Sequence, residues 1–356
     1  MRSIIRHAVT VTAVLGFSAV PLVASAQEKA TLSGGEVAIY NLVGSIKAVG
    51  GGSGDVSVAI AKSGKDAGQL RVEQGMVRGR QTLRVIYPAR RITFGNDNGW
   101  GNRTTLRVAD DGTFDDNNDD GSRVEISNRS GGLEARADLT VTVPVGKAIH
   151  LHLAAGDVTV TNVNGDVSVG VDAADVTTSG TKGALTLDTG SGTVQITDAQ
   201  GDVNIDCGSG EVTLSKIRGE RLAVDAGSGR MRGDGIDSQR IDLDLGSGGA
   251  TLRNVTTSDL KLDSGSGATE IDLTSDIDRL DIDSGSGGIT IWIPPTLGAR
   301  VDIDAGSGGI DMGVPVSVTR YESDHLVGTI GDGKGTIRID AGSGGVHFRK
   351  RGSSGQ

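Results

Sequence analysis

Along most of the chain the apolar residues come in short alternating pairs. Leu185 and Leu187 are followed by Asp188, a variable residue, a Gly-Ser-Gly triplet, and then Val194 and Ile196. The same order returns at Leu222, Val224 and Asp225, at Leu260, Leu262 and Asp263, and at Leu280, Ile282 and Asp283. Alternation with a period of two buries one face of a short strand and leaves the other in solvent. Helical periodicity is absent, so the pattern predicts an all-β chain.

The triplet begins at Gly190, Gly208, Gly227, Gly246, Gly265, Gly285, Gly306 and Gly342, with successive spacings of 18, 19, 19, 19, 20, 21 and 36. Ala154-Ala155-Gly156 and Asp172-Ala173-Ala174 fall on the same phase. A fixed period of this length is the mark of a solenoid, in which no repeat buries its apolar face alone and stacking builds one continuous core. The expected fold is a single-stranded β-solenoid (β-helix) of roughly eleven coils, on the order of 50 Å long at the usual strand spacing. Each coil has two short strands and a looser third side that contributes Val163, Ile217, Ile236 or Val255. The last, doubled spacing reads as one coil with an irregular corner. Glycine at the corners answers a need for positive φ or for the absence of a Cβ.

One acidic position repeats with the triplet: Asp188, Asp206, Asp225, Asp244, Asp263, Asp283, Asp304 and Asp340. Stacked like charges repel unless something compensates them. The simplest compensation is hydrogen bonding to the N–H groups of the adjoining turn. A row of cation sites is the sharper alternative, with Ca²⁺ the fitting ion for an exported protein. The known nonapeptide Ca²⁺ roll has half this period and places its Asp after the glycines, so its sites do not transfer. A second Ca²⁺ candidate is Asp116-Asn117-Asn118-Asp119-Asp120-Gly121, with Asp116, Asn118 and Asp120 at ligand positions. Ser127 stands where the closing acidic ligand is needed, which favours a solvated acidic loop.

The chain divides by pattern. Arg2 and Arg6, the apolar run Ala8 to Ala24 and the small-x-small site Ala24-Ser25-Ala26 read as a secretory signal peptide over 1–26. Residues 27–150 form an N-terminal β segment that doubles as a cap, interrupted by a polar Gly/Asn/Asp-rich insertion at 95–122 around Trp100. Residues 151–348 are the repeat, and 349–356 read as a disordered tail. No segment beyond the signal is apolar enough to span a bilayer as a helix.

Charge narrows the partners. The full chain carries −10, and about −12 once Arg2 and Arg6 are removed, which disfavours nucleic acid and anionic membrane surfaces. Cations, a neutral polysaccharide or a basic partner such as a surface protein remain. Cys207 is the only cysteine, so no internal disulfide forms. His150 and His152 share a strand face without an identifiable third ligand, and Trp292 reads as a strand-end aromatic rather than a sugar platform. No nucleophile elbow or catalytic triad context is present. A carbohydrase would show its carboxylates as exceptions to the repeat, whereas here the acids are the repeat.

Leu139-Thr140-Val141-Thr142-Val143-Pro144, Ala155-Gly156-Asp157-Val158-Thr159-Val160, Asn164-Gly165-Asp166-Val167 and the Gly-Ser-Gly-x-Val/Ile units together resemble the bacterial putative-adhesin family of β-strand-repeat domains of unknown function. The resemblance spans residues 35 to 348. It implies a β-solenoid, an envelope or surface setting and an adhesive role, and it brings no catalytic residues. The 95–122 insertion departs from it. The expectation is therefore an exported, non-enzymatic solenoid in the periplasm, on the cell surface or secreted, which binds or scaffolds. A carbohydrate-active enzyme and a Ca²⁺-stabilised rod are the alternatives.

Overall fold

A computed structural model of the chain describes residues 28–94, 103–114 and 121–352. Residues 1–26, where a signal peptide is expected, and Trp100, Asp116, Asn118 and Asp120 lie outside the described residues. Among the described residues every regular element is a strand apart from one 3-10 turn, Ala67–Gln69.

The alternating pattern folds as expected. Each rung runs a first strand, turns at the triplet, runs a second strand and crosses a shorter third side. Strand Ala148–Thr161 pairs in parallel with Val167–Ser179, aligning Ile149 with Val167 and Val158 with Val176. Later rungs keep that alignment: Leu185 meets Val203, Val203 meets Leu222, and Leu222 meets Ile241. Register is fixed because a one-residue slip would turn every inward side chain to solvent. Inward Leu, Ile and Val form one core from Leu32 to Phe348, and Val163, Ile217, Ile236 and Val255 fill its third side, all fully buried.

The triplet's glycines are explained chiefly by crowding. A Cβ at Gly229 would collide with the Gly210 carbonyl, and one at Gly248 with the Gly229 carbonyl, although neither glycine has positive φ. Corner glycines pack main chain on main chain from rung to rung. Positive φ adds to this at Gly192 and Gly210.

The rungs do not follow the chain in order, and this corrects the expectation of an irregular corner. At the amino-terminal end, Glu36–Gly50 is itself a full rung beneath Ala148–Thr161. Its outer edge is covered by Arg80–Ile86 on the first side and by Arg136–Val143 on the second. Antiparallel partners Arg71–Val77, Val56–Ser63 and Glu28–Leu32 complete the cap. A separate three-stranded sheet, Arg91–Thr93, Ser122–Ser127 and Arg103–Val108, carries the ends of the insertion. At the carboxyl end, Arg279–Ser284 pairs with Gly335–Ala341, which in turn pairs with Ala299–Asp304. The last coil of the chain thus lies between the two coils that precede it. The doubled triplet spacing marks this intercalation. The final strand, Val346–Lys350, also takes Arg349 and Lys350 out of the expected tail.

Candidate functional site: an acidic strand face

Parallel register turns a repeated residue into a column. On the outward face of the first side, Asp188 lies beside Asp206, then Asp225, Asp244, Asp263 and Asp283. Asp340 follows Asp283, and Asp304 closes the row. All eight predicted carboxylates therefore share one column, at about 4.8 Å per step. The column continues through Gly170 to His152, Tyr40 and Arg84 at one end, and to His325 at the other.

Turn capping is seen at Asp304, whose Oδ1 accepts from the Gly306 N–H at 3.0 Å. Three other aspartates cap the neighbouring rung instead of their own turn. Asp166, Asp175 and Asp202 accept from the N–H of Ala184, Thr193 and Arg221 on the next rung. Composition alone did not distinguish these three from the ladder acids, because the bond crosses between coils.

The column's electrostatics reflect its stacking. Partial burial, and then the charges of Asp225 and Asp263, raise the Asp244 carboxyl above its usual value, with Lys261 opposing. Asp283 is raised by burial and by Asp263, Asp340 and Asp281. The nearby arginines pair with the adjacent columns instead. Arg221 meets Asp242 at 3.1 Å, Arg240 meets Asp259 at 3.4 Å and Arg279 meets Asp281 at 2.8 Å. A shallow trough of about 450 Å³ follows the face over Asp206, Asp225, Asp244, Asp263, Asn204 and Lys261. Among the described residues no three His, Cys, Asp or Glu side chains converge as a metal-binding group.

The two predicted histidines do face the same way and are used differently. His150 Nε2 lies 2.7 Å from Glu36 Oε1, and Arg80 donates to the same oxygen at 2.5 Å. Burial and then Arg80 push the imidazole below its ordinary value, while His150 and Arg80 hold Glu36 low. His152 stacks on Tyr40 with ring centres 4.2 Å apart and planes 2° from parallel, and Phe114 meets Tyr40 edge-on. The rings pack as part of the cap, and the two histidines acquire no shared third ligand among the described residues. Trp292 stands outward on the second side between Asp272 and Arg349, beside a hollow of about 250 Å³ that Arg351 borders while pairing with Asp272 at 2.7 Å.

No curated protein matches the sequence. Among solved structures, a putative cell adhesion protein from Clostridium sporogenes is similar over 91% of this chain and 100% of its own, at 11% identity and a TM-score of 0.20. The model of the Toastrack DUF4097 family matches residues 52–349. With that match covering most of the chain, including every triplet-bearing rung, the chain belongs to the Toastrack DUF4097 family.

Proposed function

We propose that this protein is an exported, non-enzymatic solenoid of the cell envelope that binds or scaffolds an extended, positively charged partner along its first-side face. The observation that carries the reading is the eight-carboxylate column. Main-chain register fixes its spacing, and burial together with like charges already raises Asp244 and Asp283 within it. A row of charge held at about 4.8 Å per step suits an extended polymer that carries charge at short, regular intervals. A cationic partner relieves repulsion that the isolated rod retains, and steers its own encounter with the face. The chemistry fits a basic surface protein or an amine-bearing polysaccharide and opposes nucleic acid.

Export rests on the signal pattern of residues 1–26. No described helix is long and apolar enough to cross a membrane.

Two measurements test the reading. Cells producing the full chain are fractionated, and the amino terminus of the protein is sequenced. A chain beginning at Gln27 outside the cytoplasm is expected, and an uncleaved cytoplasmic chain overturns export. Chitosan, a cationic polysaccharide, is then titrated onto the protein and onto a variant with Asp206, Asp225, Asp244 and Asp263 all changed to Asn. At least tenfold weaker, less salt-sensitive binding by the variant is expected. Equal binding overturns the face, and polysaccharide turnover abolished by a single Asp substitution overturns the non-enzymatic reading.

A further inference from the structure

The final coil matches the coil it displaces at its inward positions. Val301, Ile303 and Ala305 point into the core from one, and Ile337, Ile339 and Ala341 from the other, all buried. Each continues with the same Asp-Ala-Gly-Ser-Gly-Gly segment. Arg279–Ser284 pairs with Gly335–Ala341, although Ala299–Asp304 is the next first-side strand along the chain and offers the same pattern.

The strand His325–Ile330 sharpens the point. It runs antiparallel to Ala299–Asp304, and Gly335–Ala341 lies on that strand's other side. The four residues between the two arms are Gly331-Asp332-Gly333-Lys334, with φ of +55° and +70° at the two glycines. This connection is short enough to join the arms directly as an ordinary hairpin. Ala299–Asp304 is instead wedged between them. Moving it out and closing the hairpin would restore chain order and keep every rung paired.

We infer that the carboxyl-terminal end of the rod is a two-state element: coils 299–312 and 335–350 can exchange places, and outward charge selects the intercalated order. Two packings of equal rung number and near-equal inward side chains meet the requirement for bistability. The selection lies in the outward columns. Arg338 sits between Asp281 and Asp302, and Thr336 separates Arg279 from Arg300. In chain order Asp281 would face Asp302 and Arg279 would face Arg300, placing like charges directly opposite. The exchange would change the rod's end, because Phe348 is fully buried in the inner position while Met312 is partly exposed in the outer one.

Cysteine pairs in the full chain distinguish the orders, with Cys207→Ala removing the native thiol. Asp283→Cys with Asp340→Cys reports the intercalated order, since these are neighbours. Asp283→Cys with Asp304→Cys reports chain order. In the intercalated state these two are two steps apart, about 9.6 Å, beyond the ~7 Å reach of a disulfide. The first pair is expected to oxidise fully as a monomer. The second is expected to oxidise at least tenfold more slowly, and to accelerate at least fivefold when Arg338→Asp is added. Hydrogen exchange on the trapped second pair is expected to show residues 335–350 still protected. A second pair that stays reduced even with Arg338→Asp, crosslinks found only between chains, or a trapped protein whose 335–350 amides are unprotected would each overturn the inference.

Discussion

Asp340 lies directly beside Asp283 on neighbouring parallel strands, although Asp304 is the next ladder acid along the chain. The acidic column thus passes through a coil arriving out of order, and Asp340 contributes to holding the Asp283 carboxyl up.

A raised carboxyl is a cost to the folded state at neutral pH. Burial and neighbouring charge favour the protonated form of Asp244 and Asp283 in the fold more than in the unfolded chain. Their contribution is most favourable below the unfolded value and is lost as pH rises through the folded one. Asp244→Asn and Asp283→Asn are expected to raise stability at pH 7 by about 0.5 kcal/mol each. The gain should shrink as pH falls to about 3.5, where the unfolded carboxyl is also largely protonated. Urea titrations at both pH values check this. A loss of stability at pH 7 would mean that the ladder is compensated in the native state.

The cap should behave in the opposite sense. His150 and Glu36 are both held below their ordinary values. Each contributes stability that is present above its unfolded value and lost on acidification. Between pH 7 and pH 5 the melting midpoint is expected to fall, and His150→Gln is expected to flatten that fall. An unchanged slope in the variant would assign the acid sensitivity elsewhere.

Crowding at the corner makes a sharp distinction among glycines. Gly229→Ala would force a Cβ into the Gly210 carbonyl at a buried rung contact, whereas a Cβ at Gly68 meets nothing within 4 Å. The first is expected to cost about 2 to 3 kcal/mol and the second to lie within about 0.5 kcal/mol of the parent. Equal effects in chemical denaturation would show that the rungs part easily at the triplet.

The contrast between these glycines marks what could be read from the chain. Strands such as Leu185–Ser191 and Val203–Ser209 were legible because inward and outward positions alternate and a fixed period aligns them. The Asp column follows from the same period. Rung order was not legible, since 299–312 and 335–350 carry one pattern and the deciding terms are the charges of Arg338, Asp281 and Asp302. Capping of a neighbouring rung was not legible either. Asp166 and Asp202 reach an N–H on the next rung, and local turn chemistry carries no record of that neighbour.

Tyr87 and Asn41 hold the cap to the first rung. The buried Tyr87 hydroxyl lies 2.8 Å from both Asn41 Oδ1 and the Val43 carbonyl. Asn41 Nδ2 donates to the Ala137 carbonyl at 2.8 Å, on the strand that covers the rung's outer edge. Burial pushes the phenol far above its usual range, so it stays a neutral donor at any working pH. Tyr87→Phe keeps the ring and leaves buried acceptors without that donor, at an expected cost of about 1–3 kcal/mol. Asn41→Ala removes the amide that ties rung to cap and should cost a similar amount. Because the two side chains share one bond, the double variant is expected to lose less than the sum. Loosening the cap also bares the parallel edge of Glu36–Gly50, which is a template for pairing with another chain. Sedimentation of the double variant should therefore show concentration-dependent association. A strictly additive cycle with a monomeric double variant would show that the cap is held by its apolar contacts alone.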